Sequence, residues 1–167
     1  MKLKNLLLSS ALAAAMVLPG TVWAKSLTVA VPNNLTGLDP TNINDTLSQT
    51  SLRLIYQGLF GFDKDMKLIP LLAESYEAND DATEFTIKLR KGIKFHDGTD
   101  FNAQAVKINI ERLANPDNKL SRRSLVSMVK EVQVVDDATV KLVLKEPFGA
   151  MIASLAHPGA MIISPAA

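Results

Sequence analysis

The chain has 167 residues, of which 18 are basic and 17 acidic, no cysteine, and a formal net charge of +1. That balance excludes the basic surplus expected of a nucleic-acid binder. The absence of cysteine excludes a disulfide framework and speaks against a lipid carried on an N-terminal cysteine. Apolar content is ordinary and no low-complexity stretch occurs, so the chain is globular, with length for one modest domain of about 100–200 residues.

Lys2 and Lys4 form a short basic head, Leu6 to Leu18 is an uncharged apolar run, and Pro19-Gly20 breaks it before Val22-Trp23-Ala24. That order is a secretory signal peptide. The run falls short of the ~20 apolar residues that a membrane-crossing helix needs. Cleavage is expected between Ala24 and Lys25, which places the mature protein in the periplasm. Without Lys2 and Lys4 the balance is 16 basic to 17 acidic residues, a net of −1.

Ser26 to Val31 is rich in branched residues and predicts a strand ended by Pro32. Asn33 to Gly37 predicts a loop. Asn44 or Asp45 is expected to cap a helix that runs through Ile55 and stops by Gly58, with Leu47, Leu54 and Ile55 on its apolar side. Ala73 to Glu77 leads through Asn79-Asp80-Asp81-Ala82 into a segment where Phe85, Ile87 and Leu89 alternate with polar residues. Val132 and Val134 lead through Asp136-Asp137-Ala138 into alternating Val140, Leu142 and Leu144. Period-two alternation predicts two hairpins with one buried and one wet face.

Between the hairpins, Asn102 caps a helix whose Ala103, Val106, Ile110 and Leu113 share a face, with Phe101 and Val106 set for a hydrophobic staple. Asn115-Pro116 ends it. Asp117 to Arg123 reads as a polar loop, and Ser124 to Met128 and Phe148 to Leu155 as short helices. The chain stops at Ile162-Ile163-Ser164-Pro165-Ala166-Ala167, which reads as a strand running into a turn, so the sequence is expected to continue. The pattern as a whole is α+β.

No catalytic constellation stands out. His96 and His157 lack the spacing of a zinc site and lie near no nucleophile motif. Asp80-Asp81 and Asp136-Asp137 sit where Asp favours turns. Gly58-Leu59-Phe60-Gly61 lacks the rest of a phosphate loop. The run Arg90-Lys91-Gly92-Ile93-Lys94 reads as a solvated strand end. A binder is therefore favoured over an enzyme, with no cofactor or metal expected.

The run Leu68 to Arg112 carries a likeness. Ala73-Glu74-Ser75-Tyr76, Asp80-Asp81 and Phe85-Thr86-Ile87-Lys88-Leu89-Arg90 lead into Lys91-Gly92-Ile93-Lys94-Phe95-His96-Asp97-Gly98-Thr99, followed by Asp100-Phe101-Asn102-Ala103 and Val106. This resembles the family 5 extracellular solute-binding proteins, the binding subunits of dipeptide, oligopeptide and nickel importers. Leu38-Asp39-Pro40, Tyr56-Gln57-Gly58-Leu59-Phe60 and Glu146-Pro147-Phe148 match the same family, while Ala82 stands where its turn usually has Gly. Thr46-Leu47-Ser48-Gln49, Met66-Lys67-Leu68 and Ala156-His157-Pro158, with Ala105, are similar to its glutathione-binding members.

The resemblance implies a periplasmic-binding-protein-like fold of type II, peptide-binding subclass, α+β / α/β overall, truncated after a domain inserted early. Residues 1–24 would be the signal peptide, 25–44 the opening strand and loop of the first lobe, 45–161 the inserted α+β domain, and 162–167 the return to the first lobe. It implies a monomer that captures glutathione or a short peptide and delivers it to a membrane ABC permease, with no nucleic acid involved. In this chain the loop of Asn33, Asn34, Leu35 and Thr36 would face the ligand cleft, although these residue types serve equally in ordinary turns. A receptor for another solute, such as a dipeptide or a metal complex, stays open. So do a secreted hydrolase with its catalytic residues in sequence beyond this chain, and a module that binds a partner without ligand.

Overall fold

The computed structural model describes Thr28 and residues 30–167, so the signal-peptide reading and the Ala24/Lys25 cleavage site lie outside the described residues. Thr28, Ala30 and Val31 are irregular and exposed, so the part of the expected Ser26–Val31 strand that is described is not a strand. Residues 32–167 form one compact unit.

The centre of that unit is a four-stranded antiparallel sheet in the order β3 (Ala73–Ala78), β4 (Glu84–Leu89), β6 (Thr139–Leu144), β5 (Val129–Asp136). Strands β3 and β4 form one predicted hairpin, and β5 and β6 the other. They join through β4 and β6, with Ile87 opposite Val140 and Phe85 opposite Leu142. The period-two pattern is met in burial: Phe85, Ile87, Leu89, Val140, Leu142 and Leu144 are all buried, while Lys88 is exposed. Val132 and Val134 lie opposite Leu142 and Val140 as the alternation predicts, but only Val132 is buried, and Val134 is 40% exposed. The register of β5 is continuous from Glu131 to Val134 and shifts only outside that stretch, so Val134 stays on the face of Val132 but is left uncovered near the strand end.

Helix α2 (Ala103–Ala114) covers the buried face, with Val106, Ile110 and Leu113 in the same core as the strands. Asn102 caps it as expected, its side chain accepting from the Ala105 N–H at 2.9 Å, and Phe101 and Val106 both enter the core. The Ala103 N–H donates to the Asp137 carbonyl at 2.9 Å, so the helix starts on the β5–β6 turn. Burial of each such aliphatic or aromatic side chain stabilises the fold by roughly 1.5–3 kcal/mol.

Helix α1 (Thr46–Leu52) is shorter than expected. It stops before Ile55, Leu54 is 90% exposed, and the buried residues are Ser48 and Leu52. The chain must leave the helix there because Gln57 is extended and bridges Ile162. Asp45 is the cap, accepting from the Ser48 N–H at 2.7 Å. Strands β1 (Phe60–Phe62) and β2 (Leu68–Pro70) form a ribbon that the sequence pattern did not announce, being only three residues each. The expected helix over 124–128 is a 3-10 turn at Arg123–Val126, and the one over 148–155 begins later, as α3 (Met151–Leu155). The 117–123 loop opens with another 3-10 turn, Pro116–Asn118.

Ala82, in the β3–β4 turn, adopts φ 54°, a left-handed conformation that Gly enters without penalty. Its neighbours hold it there: the Ala82 N–H donates to the Asn79 carbonyl at 3.1 Å, and its own carbonyl accepts from the Phe148 N–H at 3.0 Å. Ala82→Gly is expected to stabilise the protein by about 0.5–1 kcal/mol, read as a higher denaturant midpoint at unchanged slope. An unchanged or lower midpoint contradicts the strain assigned to this turn.

Candidate functional site

Asn33, Asn34, Leu35 and Thr36 are all exposed and irregular. Thr36 closes onto the start of α1. Its N–H donates to Ser48 Oγ at 3.0 Å and its hydroxyl to Asp45 Oδ2 at 2.5 Å. The Thr36 hydroxyl, with the Ser48 N–H, holds the Asp45 carboxyl below its usual range. The polar groups of Thr36 thus serve the helix cap, while Asn33, Asn34 and Leu35 face solvent.

The following loop is anchored more deeply. The 3-10 turn Pro40–Asn42 is capped by Asp39, whose Oδ1 accepts from the Thr41 N–H at 2.9 Å and its hydroxyl at 2.6 Å. Arg112 of α2 forms an ion pair with Asp39 Oδ2 and donates to Thr41 Oγ1 at 3.1 Å. Burial acts to raise the Asp39 carboxyl, but the hydrogen bonds from Arg112 and Thr41 and the Arg112 charge outweigh it and hold it below its usual range. On the other side, Asn42 Oδ1 accepts from the Ser121 hydroxyl at 2.9 Å, and Arg122 Nε donates to the Ile43 carbonyl at 2.8 Å.

The last residues lie against the same helix. Asn109 is buried, 8% exposed. Its Oδ1 accepts from the Ile163 N–H at 2.9 Å, and its Nδ2 donates to the carbonyls of Ile163 at 2.8 Å and Ala105 at 2.9 Å. The Ile162 N–H donates to the Gln57 carbonyl at 3.0 Å. Beyond it the Ser164 hydroxyl donates to Asp97 Oδ2, while Asp97 Oδ1 accepts from the Thr99 N–H at 2.9 Å. Those bonds, the Ser164 one largest, lower the Asp97 pKa to about 2.

Two open depressions flank this final segment. One, of ≈ 330 Å³, lies between Leu38, Tyr56, Ile108, Arg112 and Ile163. The other, of ≈ 780 Å³, runs past Ile55, Phe95, His96 and Ser164. Both have the volume of a small-ligand site but lack the enclosure that such sites provide.

Among the described residues no group of three or more His, Asp or Glu side chains is placed to hold a metal ion. His157 Nδ1 accepts from the Gly159 N–H at 2.9 Å and caps a 3-10 turn, Pro158–Ala160. His96 is exposed. Asp81 accepts from the Thr83 N–H at 3.1 Å and Asp136 from the Ala138 N–H at 2.7 Å, which makes each a turn residue. The polar anchors Asn109, Arg112 and Ser164 were not singled out by sequence reasoning. The available signal was an Asn in the middle of the apolar run of α2, next to Ile110.

Residues 67–166 match the family described as bacterial extracellular solute-binding proteins, family 5 Middle. The glutathione-binding protein GsiB of Pectobacterium atrosepticum is 53% identical over 162 residues, covering 96% of this chain and 31% of that protein. The chain therefore spans about a third of the length of the curated relatives it matches. Among solved structures, the PBP AgaA from A. tumefaciens R10, in complex with agropinic acid, superposes with a TM-score of 0.76 at 40% identity, covering 80% of this chain and 27% of the other. NikZ from Campylobacter jejuni, in complex with Ni(L-His), does so with a TM-score of 0.70 at 30% identity, covering 78% and 26%.

The Asp97 contact gives a direct test. Its low pKa rests first on the Ser164 hydroxyl and then on Thr99, so in Ser164→Ala the Asp97 carboxyl is expected to titrate above about 2, still held down by Thr99. Carboxyl chemical shifts followed by NMR between neutral and acid pH read this. With a depressed folded pKa, the stabilisation from Asp97 is present above about 3.8 and lost as pH falls through about 2. An unshifted titration in Ser164→Ala means that Ser164 does not hold the carboxylate.

Proposed function

The chain belongs to the bacterial extracellular solute-binding proteins of family 5, and from that premise we propose that it is the N-terminal part of a periplasmic substrate-binding component of an ABC importer that captures glutathione or a short peptide. The observation that carries this reading is 53% identity over 96% of the chain to a glutathione-binding protein. The family consists of transport binding proteins. The N-terminal Lys2, Lys4, the apolar run and Ala24 supply the export signal that such a protein needs. A second reading within the family, a receptor for another solute, is supported by the agropinic acid and Ni(L-His) complexes of two structural neighbours.

The described geometry supports residues 45–161 as a domain inserted into a larger lobe. The incoming segment at Asp39–Thr41 and the outgoing segment at Ile163 are held side by side on α2 by Arg112 and Asn109. Adjacent termini are what let one domain sit within another. Ligand capture then rests on two lobes closing over the solute, and the closed form is what the permease recognises. The loop 33–36 lies on the incoming side and supplies at most one wall of the cleft.

One wall is too little for binding. Association costs an estimated ~4–15 kcal/mol in lost freedom. Neutral hydrogen bonds from Asn33, Asn34 and Thr36 contribute about 0.5–1.5 kcal/mol each, and Thr36 is already engaged. The sum falls short of millimolar affinity, which needs about −4.1 kcal/mol. Calorimetric titration of reduced and oxidised glutathione and of dipeptides is the test. It is made on this chain and on a longer protein that carries it at the full length of the relatives it matches. No heat of binding is expected from the 167-residue chain, and saturable binding of glutathione or a short peptide from the longer protein. A saturable site on the chain alone would mean that the ligand site is misplaced. A longer protein that ignores glutathione and peptides but takes a metal complex would replace the ligand with the second reading.

A further inference from the structure

We infer that His157 is an acid-sensitive latch: its uncharged ring holds the 158–160 turn, and through that turn the outgoing segment at Ile162 and Ile163, and protonation releases both. The ring occupies the cap position of the turn. Nδ1 accepts from the Gly159 N–H at 2.9 Å, and the His157 carbonyl accepts from the Ala160 N–H at 2.9 Å. A neutral imidazole has one acceptor nitrogen, and this contact requires it to be Nδ1. Protonation of Nδ1 turns the acceptor into a donor facing another donor.

The surroundings do not compensate. His157 is half-buried against a depression that includes Arg53, Tyr56 and Gln57, and no carboxylate is among its lining residues. Arg122 lies over the turn: a Cβ on Gly159 would come within 2.6 Å of its Cγ. Arg122 is itself pinned, its N–H donating to the Thr41 carbonyl at 3.1 Å and its Nε to the Ile43 carbonyl at 2.8 Å. A new positive charge on the ring therefore meets two guanidiniums and no partner. Burial first, then the charges of Arg122 and Arg53, hold the His157 pKa below 6.5.

The direction follows from linkage. A histidine whose folded pKa is depressed contributes stability that is complete above the unfolded value of 6.5 and is lost as pH falls below it. The loss is local because the turn hands directly to Ile162, which bridges Gln57, and to Ile163, which is bound by Asn109. The sheet strands share no bond with the latch, and their protection is the internal reference.

Hydrogen exchange, corrected for intrinsic rates, is measured on the chain and on His157→Asn and His96→Asn between about pH 8 and about pH 5. Asn offers an Oδ1 acceptor at a cap position and does not titrate. Protection over 157–163 is expected to fall at least about threefold more than over β4 and β6 in the unaltered chain and in His96→Asn. In His157→Asn it is expected to stay level with the strands. If His157→Asn fails to fold, NMR of the unaltered chain decides: the Gly159 amide must titrate with the midpoint of the His157 ring. Equal pH dependence in the chain and His157→Asn, no excess loss over 157–163 in the chain, or a Gly159 amide that ignores the ring would each overturn the latch.

Discussion

The side-chain amide of Asn109 is the contact on which the arrangement of the outer segments depends. It is buried on α2 and satisfied on both ends, with Oδ1 on the Ile163 N–H and Nδ2 on the carbonyls of Ile163 and Ala105. Burying an amide without such partners costs on the order of 2–7 kcal/mol, so the site tolerates Asn only while the outgoing segment is in register. Arg112 lies three residues on, along the same flank of the helix, and binds Asp39 and Thr41 of the incoming loop. One helix therefore carries two jobs. Its apolar side, through Val106, Ile110 and Leu113, packs on the sheet, and its polar flank gathers both ends of the unit.

The sheet supplies what that flank needs, a helix that cannot shift. Two hairpins of similar turn chemistry meet at β4 and β6, and the Ala103 N–H is tied to the Asp137 carbonyl in the second turn. The helix start is thus set by the hairpin that follows it in sequence. The same economy recurs at Arg122, whose backbone and side chain hold Thr41 and Ile43 while its aliphatic part covers Gly159. Incoming loop, 121–122 segment and outgoing turn meet at that one side chain.

The parts legible in the sequence were those with a period. Phe85, Ile87, Leu89 and Val140, Leu142, Leu144 announced their strands, and Asn102 with Val106, Ile110 and Leu113 announced α2. Where tertiary pairing overrode local pattern, the reading failed. Leu54 and Ile55 looked like a helix face, but the chain leaves the helix at Leu52 so that Gln57 can pair with Ile162. Ribbon β1–β2 is too short for any period to show. In the loop of Asn33 to Thr36 the residue types fitted both turn and ligand, and it is the fold that binds Thr36 to Asp45 and Ser48. Asn109 and Ser164 were invisible for a related reason: each acts on backbone or side chains more than fifty residues away.

The central claim is that the Asn109 amide on α2 holds the outgoing segment in place at Ile163. Asn109→Leu keeps side-chain bulk and removes both bonds to Ile163, a loss of about 1–3 kcal/mol for the segment. Native-state hydrogen exchange should then show the Ile162 and Ile163 amides losing protection while Ile87 and Leu142 keep theirs. Unchanged protection at Ile163, or an equal loss across the strands, would contradict the account.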